Sequence, residues 1–427
     1  MNIIYPFILF MGISLSVEFK VDSLTYYSLP PEEKVGDLYR AQLNMTNEWI
    51  SAEKVASEDN KPEVYFFRHS GRPDSLILLK RKIKKKLRHP YYFAKLLQWK
   101  NDEPEASIFV HRELDETQRF YYVEAPDKLH MEHIELNTDN IEKVSMVHNT
   151  EIDGEQKIVA LVKTISGQDN IPVVDGDIFG MDYIHINIKK DPGTGEDTER
   201  ITSIRIEPQI NSAVLLTFYD GDKQDLRYYN ELRTLDWGPL IAIGYNDAND
   251  KYDPQFSQSG KYISFLELDR NSKRKTPRFK LYVCPRQIDN NGELIPPNKS
   301  SYILVDDNIW NVHTLNYPSE FSMDYSWHTK EDVLFYVKLD EYSKDKWQIW
   351  YYDVKSKTKK KLETGTKFNR SISFSHDGKY IVFVCVDLFD DSTHFKNCDL
   401  FGTKEKNREC CGDPNNTIVV VGRLIKK

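Results

Sequence analysis

The sequence predicts an all-β chain, and among all-β architectures a β-propeller of about seven blades, six to eight being compatible, with few short helices. Three observations predict this. Alternating or β-rich segments follow one another along the chain, separated by turns rich in Gly and Asx. Two twelve-residue stretches, 254–265 and 372–383, repeat one pattern of aromatic, tight turn and strand. Aromatic residues make up 12% of the chain, mostly its 25 Tyr and 21 Phe, which favour pleated surfaces. The composition excludes other classes. With 427 residues and 40% hydrophobic content the chain can bury a large core, and 19 Gly and 19 Pro rule out collagen-like or low-complexity character. The balance of 58 Lys+Arg against 66 Asp+Glu gives a net charge of −8. That speaks against general nucleic-acid binding, which needs a basic surface, so no nucleic-acid partner is expected.

The first segment fixes the expected compartment. Ile3 to Leu15 is an apolar run too short to span a bilayer, and Ser14-Leu15-Ser16 supplies small residues ahead of a cleavage point before Val17. Residues 1–16 are therefore expected to be a signal peptide, and 17–427 a single propeller domain. Lys and Arg are missing from the leader, which favours a eukaryotic secretory route. No later stretch is apolar enough for a transmembrane anchor. Sequons at Asn44, Asn298, Asn369 and Asn415 are candidate N-glycosylation sites in such a route.

Along the body, strands are expected at 64–69, 75–82, 107–114, 119–125, 157–165, 183–190, 213–220, 262–269, 278–284, 333–340, 347–354 and 380–387. Helix-period patterning is confined to 31–43 and 89–99. From the end of the expected strand 75–82 to the start of the expected helix 89–99 runs a basic stretch of Lys80, Arg81, Lys82, Lys84, Lys85, Lys86, Arg88 and His89. In a secreted protein it is the candidate anion- or glycan-binding element, against the alternative of a solvated loop.

The repeat carries the architecture. PQFSQSGKYISF and ISFSHDGKYIVF share F-S-x-x-G-K-Y-I-x-F, and YSWHTKEDVLFY (325–336) is a looser copy, with Trp327 at the first aromatic position and Phe335 at the second. An aromatic ends one strand, Ser and Asx-Gly turn the chain, and the next strand alternates apolar residues inward. With the following WQIWYYDV, the unit resembles the TolB-like (PD40, WD40-like) propeller repeat, clearest over residues 254–390, although Ser259 stands where Asp is usual. The same repeat type occurs in the propellers of prolyl-oligopeptidase relatives. Phe265, Phe335 and Phe383 are spaced by 70 and 48 residues, a mean of 59; the 411 residues from Val17 onwards then make about seven units.

Five cysteines, Cys284, Cys385, Cys398, Cys410 and Cys411, lie in the C-terminal part without zinc-type spacing. In an oxidising compartment Cys398 is the candidate partner of Cys410 or Cys411. The last β-prone run, 417–425, is too apolar for a free tail. Residues 418–425 are expected to pair in a blade that includes N-terminal sequence around Val17–Val21, closing the ring.

Local catalytic signatures are missing: there is no G-x-S-x-G elbow, no HExxH and no phosphate-binding glycine loop. His130 and His133, placed in a polar loop, and the acidic groups Asp175/Asp177 and Asp247/Asp250/Asp253 match no metal-site pattern. No cofactor, metal or catalytic residue is therefore assigned. The leading expectation is a secreted, non-catalytic propeller that binds a protein or sulfated glycan through its blade loops. The alternatives are an enzyme or small-ligand binder with its site in the central channel, or a peptidase-type propeller without its hydrolase domain.

Overall fold

A computed structural model describes residues 17–29, 37–55, 62–69, 76–78, 94–99, 107–112, 118–128, 131–134, 141–152, 155–164, 169–175, 181–185, 199–206, 214–220, 223–229, 241–243, 249–268, 279–292, 294–295, 297–309, 324–338, 347–386 and 417–427. The described residues are nearly all strand; a 3-10 turn at Lys299–Ser301 is their one helical element.

The strands group by fours, and each group is antiparallel. Blade 1 is β2 (Asp37–Leu43), β3 (Trp49–Val55), β4 (Pro62–Arg68) and β5 (Leu76–Leu78). Blade 2 is β6 (Ala94–Trp99), β7 (Ser107–Arg112), β8 (Gln118–Val123) and β9 (Met131–Ile134). Blade 3 is β10 (Ile141–Ile152), β11 (Glu155–Thr164), β12 (Asp169–Asp175) and β13 (Met181–His185). Blade 4 is β14 (Glu199–Ile206), β15 (Val214–Asp220), β16 (Lys223–Tyr229) and β17 (Ile241–Ile243). Blade 5 is β18 (Asp250–Phe256), β19 (Tyr262–Leu268), β20 (Phe279–Pro285) and β23 (Ile303–Ile309), with the small hairpin β21 (Gln287–Ile288) and β22 (Leu294–Ile295) inserted before its last strand. Blade 6 is β24 (Tyr325–Trp327), β25 (Val333–Lys338), β26 (Gln348–Asp353) and β27 (Thr358–Lys361), joined to blade 5 through the single pair Ile309–Lys338. Blade 7 is β28 (Arg370–Phe374), β29 (Tyr380–Val386) and β30 (Thr417–Lys426), and its outermost strand is β1 (Phe19–Tyr27) from the other end of the chain.

The ring closes as the C-terminal sequence suggested. β1 pairs antiparallel with β30 from Phe19–Lys426 to Tyr27–Val419, and β30 pairs with β29 on its other side. β2 of blade 1 packs against β28 of blade 7, and the inner strands of blades 5, 6 and 7 follow one another in the same way. Blade 7 is buried on both faces. Ile381, Phe383, Cys385, Ile418 and Val420 pack towards blade 6, while Val382, Val384, Val419 and Val421 pack towards blade 1. Two buried faces explain why 418–421 is an unbroken apolar run and not an alternating one.

Both expected helices are corrected. Residues 37–43 and 94–99 are β2 and β6, the innermost strands of blades 1 and 2. The cause is a β-bulge in each. Register shifts at Tyr39/Gln42 and Leu96/Gln98 add a residue to the inner strand. In β2 the buried apolar positions become Leu38, Ala41 and Leu43, with Arg40 buried between them, so the period-two alternation of a strand is broken. Blades 3, 4, 5 and 7 carry an inner-strand shift as well. Arg40, Asp253 and Ser371 occupy the same bulge position in blades 1, 5 and 7, each with positive φ (49°, 44° and 57°).

Candidate functional site

Antiparallel alternation gives the ring two distinct rims. Turns between first and second strands share a rim with connections between third and fourth strands. The second-to-third connections and the crossings to the next blade lie on the other. The first rim is built from the sequence repeat. In blades 5 and 7, Ser257 and Ser375 receive the amides of Tyr262 and Tyr380 on their hydroxyls, while their own amides donate to the carbonyls of those residues. Gly260 and Gly378 close the turns with φ of 67° and 71°. Asp377 accepts from the Ser375 hydroxyl at 2.7 Å and the Lys379 amide at 3.1 Å. Although burial pushes its carboxyl up, these bonds outweigh burial and hold it below the ordinary carboxylate range.

Neighbouring turns are tied together. The Ser259 hydroxyl donates to Asp332 Oδ1 (2.6 Å), and the Thr329 hydroxyl to the Ser375 carbonyl (2.9 Å). His328 takes the Ser position in blade 6. Its Nε2 donates to the Gly378 carbonyl (3.0 Å) and its Nδ1 accepts from the Lys330 amide (3.2 Å), which defines a neutral ring. Burial lowers its pKa, consistent with that state. A Cβ on Gly378 would lie 2.7 Å from His328 Cε1, so the glycine also makes room for this ring.

Blade 1 holds a fourth copy that the motif search passed over. Asn44 stands at the Ser position, and its Oδ1 receives the amides of Glu48 (2.9 Å) and Trp49 (3.0 Å). Asn47 takes the glycine position with φ of 59°. The register also shifts one assignment in blade 6: Leu334 faces Trp327 as Ile263 faces Phe256, so Tyr336, and not Phe335, occupies the second aromatic position.

Nearer the axis, polar groups link three blades. Asp324 Oδ1 accepts from the Ser371 amide (3.1 Å), and the Ser371 hydroxyl accepts from the Arg40 amide (2.6 Å). The Arg40 guanidinium lies 3.4 Å from Glu53, both buried. Asn249 donates to Glu267. These groups bridge neighbouring blades or strands, so their chemistry is used in holding inner strands in register.

The sequence-derived candidates distribute as follows. Lys80, Arg81, Lys82, Lys84, Lys85, Lys86 and Arg88 lie outside the described residues, between β5, the outermost strand of blade 1, and β6, the innermost of blade 2. Residues 1–16, Asn415, Cys398, Cys410 and Cys411 also lie outside them. Cys284 and Cys385 are buried, with the Cys284 thiol pushed up to about 12 by burial. Asn44 and Asn369 are fully buried, whereas Asn298 is exposed and caps the 3-10 turn. His133 belongs to strand β9 and not to a polar loop, while His130 is outside the described residues. Asp175 ends β12 and Asp250 begins β18, with Asp253 at its bulge; Asp177 and Asp247 are outside. Among the described residues, no cluster of three or more His, Cys, Asp or Glu is arranged to hold a metal ion.

The fold and its closed rim define a seven-bladed β-propeller among the described residues, and solved structures share that architecture. An oligogalacturonate lyase in complex with manganese aligns with a TM-score of 0.53 at 10% identity, over 96% of this chain and 97% of the lyase. An oligogalacturonate lyase from Vibrio parahaemolyticus aligns with a TM-score of 0.54 at 10% identity, over the same shares. A puromycin-hydrolysing peptidase from Mycobacterium tuberculosis reaches 0.52 at 8% identity, covering 86% of this chain and 53% of the peptidase. At such identities the likeness is one of fold. No protein-family model matches the chain, and no curated protein matches it.

Proposed function

We propose that the chain is a secreted, non-catalytic binding propeller that engages an anionic partner, most simply a sulfated or uronate-bearing glycan, through the loops of one rim. The observation that supports this reading is an asymmetry between rims. First-to-second-strand turns in blades 1, 5, 6 and 7 are tight and internally hydrogen-bonded. The opposite rim receives the long connections 79–93, 269–278, 310–323, 339–346 and 387–416. The first rim also carries two longer segments, blade 5's inserted hairpin and the connection 230–240 between the third and fourth strands of blade 4. The basic run belongs to the first of these connections. Long loops on a rigid scaffold are where recognition commonly sits, and a basic loop on a net acidic protein attracts polyanions through local charge. The repeat over 254–390 is read as TolB-like, a repeat type compatible with a scaffold role.

Heparin and polygalacturonate columns test the reading. Replacing Lys82, Lys84, Lys85 and Lys86 by Ala should lower the salt needed for elution strongly, since each Debye-screened contact falls away with its charge. The melting temperature should stay unchanged. Equal elution salt for variant and parent would contradict the assignment.

A further inference from the structure

The start of β1 meets blade 6 at a buried carboxylate. The Val17 amide donates to Asp353 Oδ2 at 3.0 Å, and the Phe19 amide to the Tyr351 hydroxyl at 3.1 Å. Asp353, at the end of β26, is 3% exposed. Its Oδ1 accepts from the Lys355 and Ser356 amides, and its Oδ2 from the Ser356 hydroxyl at 2.7 Å as well as from Val17. A carboxylate held by three donors of its own turn is already oriented towards the fourth, the Val17 amide. Val17 is also the residue that follows the small-residue pattern Ser14-Leu15-Ser16.

We propose that the Ser16–Val17 bond is cut and that the α-ammonium so created forms an ion pair with Asp353, locking the outer strand of blade 7 onto blade 6. This rests on the secretory reading above. In the cut, water adds across the amide: Ser16 leaves with a carboxylate and Val17 keeps the nitrogen as an ammonium group. The hydrogen bond present in the uncut chain thereby becomes charge-assisted at the same position. Processing then both removes the apolar leader and fastens the ring.

The charged and titratable groups around the pair are Glu18 next to Val17, Lys360 at 3.9 Å from Glu18, Lys355 in the turn, and the hydroxyls of Tyr351 and Tyr352. Both hydroxyls are raised above the ordinary tyrosine value, first by burial, and stay neutral below pH 10. An α-amino group titrates near 7.7–8.0 when unpaired, and pairing with Asp353 raises it in the folded state. The added stability is therefore complete below about pH 7.7 and disappears as pH rises through the raised value. It also disappears in acid, as pH falls through the depressed pKa of Asp353, whose hydrogen bonds outweigh its burial.

The test compares the chain cut flush before Val17 with the same chain carrying one additional Gly there, and with Asp353→Asn. At pH 6.5 the flush chain should melt roughly 2 °C above the Gly-extended chain. The gap should close by pH 9.5, and Asp353→Asn should abolish it. Equal melting temperatures at pH 6.5, or a gap that persists at pH 9.5, would overturn the ion pair. Sequencing of the secreted full-length product should begin at Val17; another first residue would overturn the cut. Retention of an uncut chain would contradict the cut and the secretory reading together, whereas equal melting temperatures contradict the ion pair alone.

Discussion

Asn44, Asn298 and Asn369 share a sequon and have quite different surroundings. Asn44 Nδ2 donates to Thr46 Oγ1 (2.9 Å) while its Oδ1 shapes the turn. Asn369 Nδ2 donates to the Trp347 carbonyl (3.1 Å) and its Oδ1 accepts from Thr366 (2.6 Å). Ser371 of that sequon is itself bonded to Arg40. A glycan on either nitrogen would replace a buried hydrogen bond with a bulky polar group that the packed interior has no room for. Asn298 is different: it is exposed, its Oδ1 accepts from both the amide and hydroxyl of Ser300 at 3.0 Å, and its Nδ2 makes no bond among the described residues. Peptide mapping of folded protein from a secreting eukaryotic host should find glycan on Asn298 and none on Asn44 or Asn369. Glycan on either buried residue in the folded fraction would contradict these placements. Sequence could list the sequons but not rank them, because the three-residue pattern is the same whether the turn that holds the Asn is packed between strands or exposed.

Between blades, one register position decides how each element meets the next. Ser264 in β19 accepts from Trp327 Nε1 at the end of β24 (2.8 Å) and donates to the Gln255 carbonyl. Ser51 in β3 does the same with Trp99 (3.0 Å) and Gln42. At the equivalent place between blades 6 and 7, Phe335 meets Phe374 edge-on at 4.9 Å. Between blades 7 and 1, Val382 and Leu43 share an apolar cluster. Polar partners meet polar and apolar meet apolar. Ser264→Val should therefore destabilise by ~1–3 kcal/mol, because the buried Trp327 N–H loses its acceptor. Adding Trp327→Phe should cost less than the sum of the two single changes, measured by a denaturant double-mutant cycle. Strict additivity would contradict the staple. The repeat was legible where Phe, Ser and Gly were retained, as in 256–260 and 374–378. The blade 1 copy was hidden by Asn44, Asn47 and Trp49, residues that reproduce the turn geometry with different letters. The inner strands β2 and β6 were hidden by bulges that broke period two. The long spacing from Phe265 reflects the β21–β22 insertion between the third and fourth strands of blade 5.

At the scale of the ring, the β-rich order and closure through both chain ends were readable because 417–425 is too apolar to be left in water. The proposed binding rim was less readable. The connections assigned to it by strand order come from distant positions in the chain, and of these only the 80–88 charges stand out in sequence. Closure through β30 is the account's central claim. This strand lies between β29 and the N-terminal β1 and buries Ile418, Val419, Val420, Val421 and Leu424. Burying each such side chain contributes about 1.5–3 kcal/mol, so five of them rival the whole net stability of a typical domain, about 5–15 kcal/mol. The most direct measurement is the thermal unfolding of the chain lacking residues 417–427 beside the full chain. The account predicts loss of the cooperative transition, with β1 released and the β29 edge exposed. A truncated protein that is secreted normally and melts at the same temperature as the full chain would contradict it.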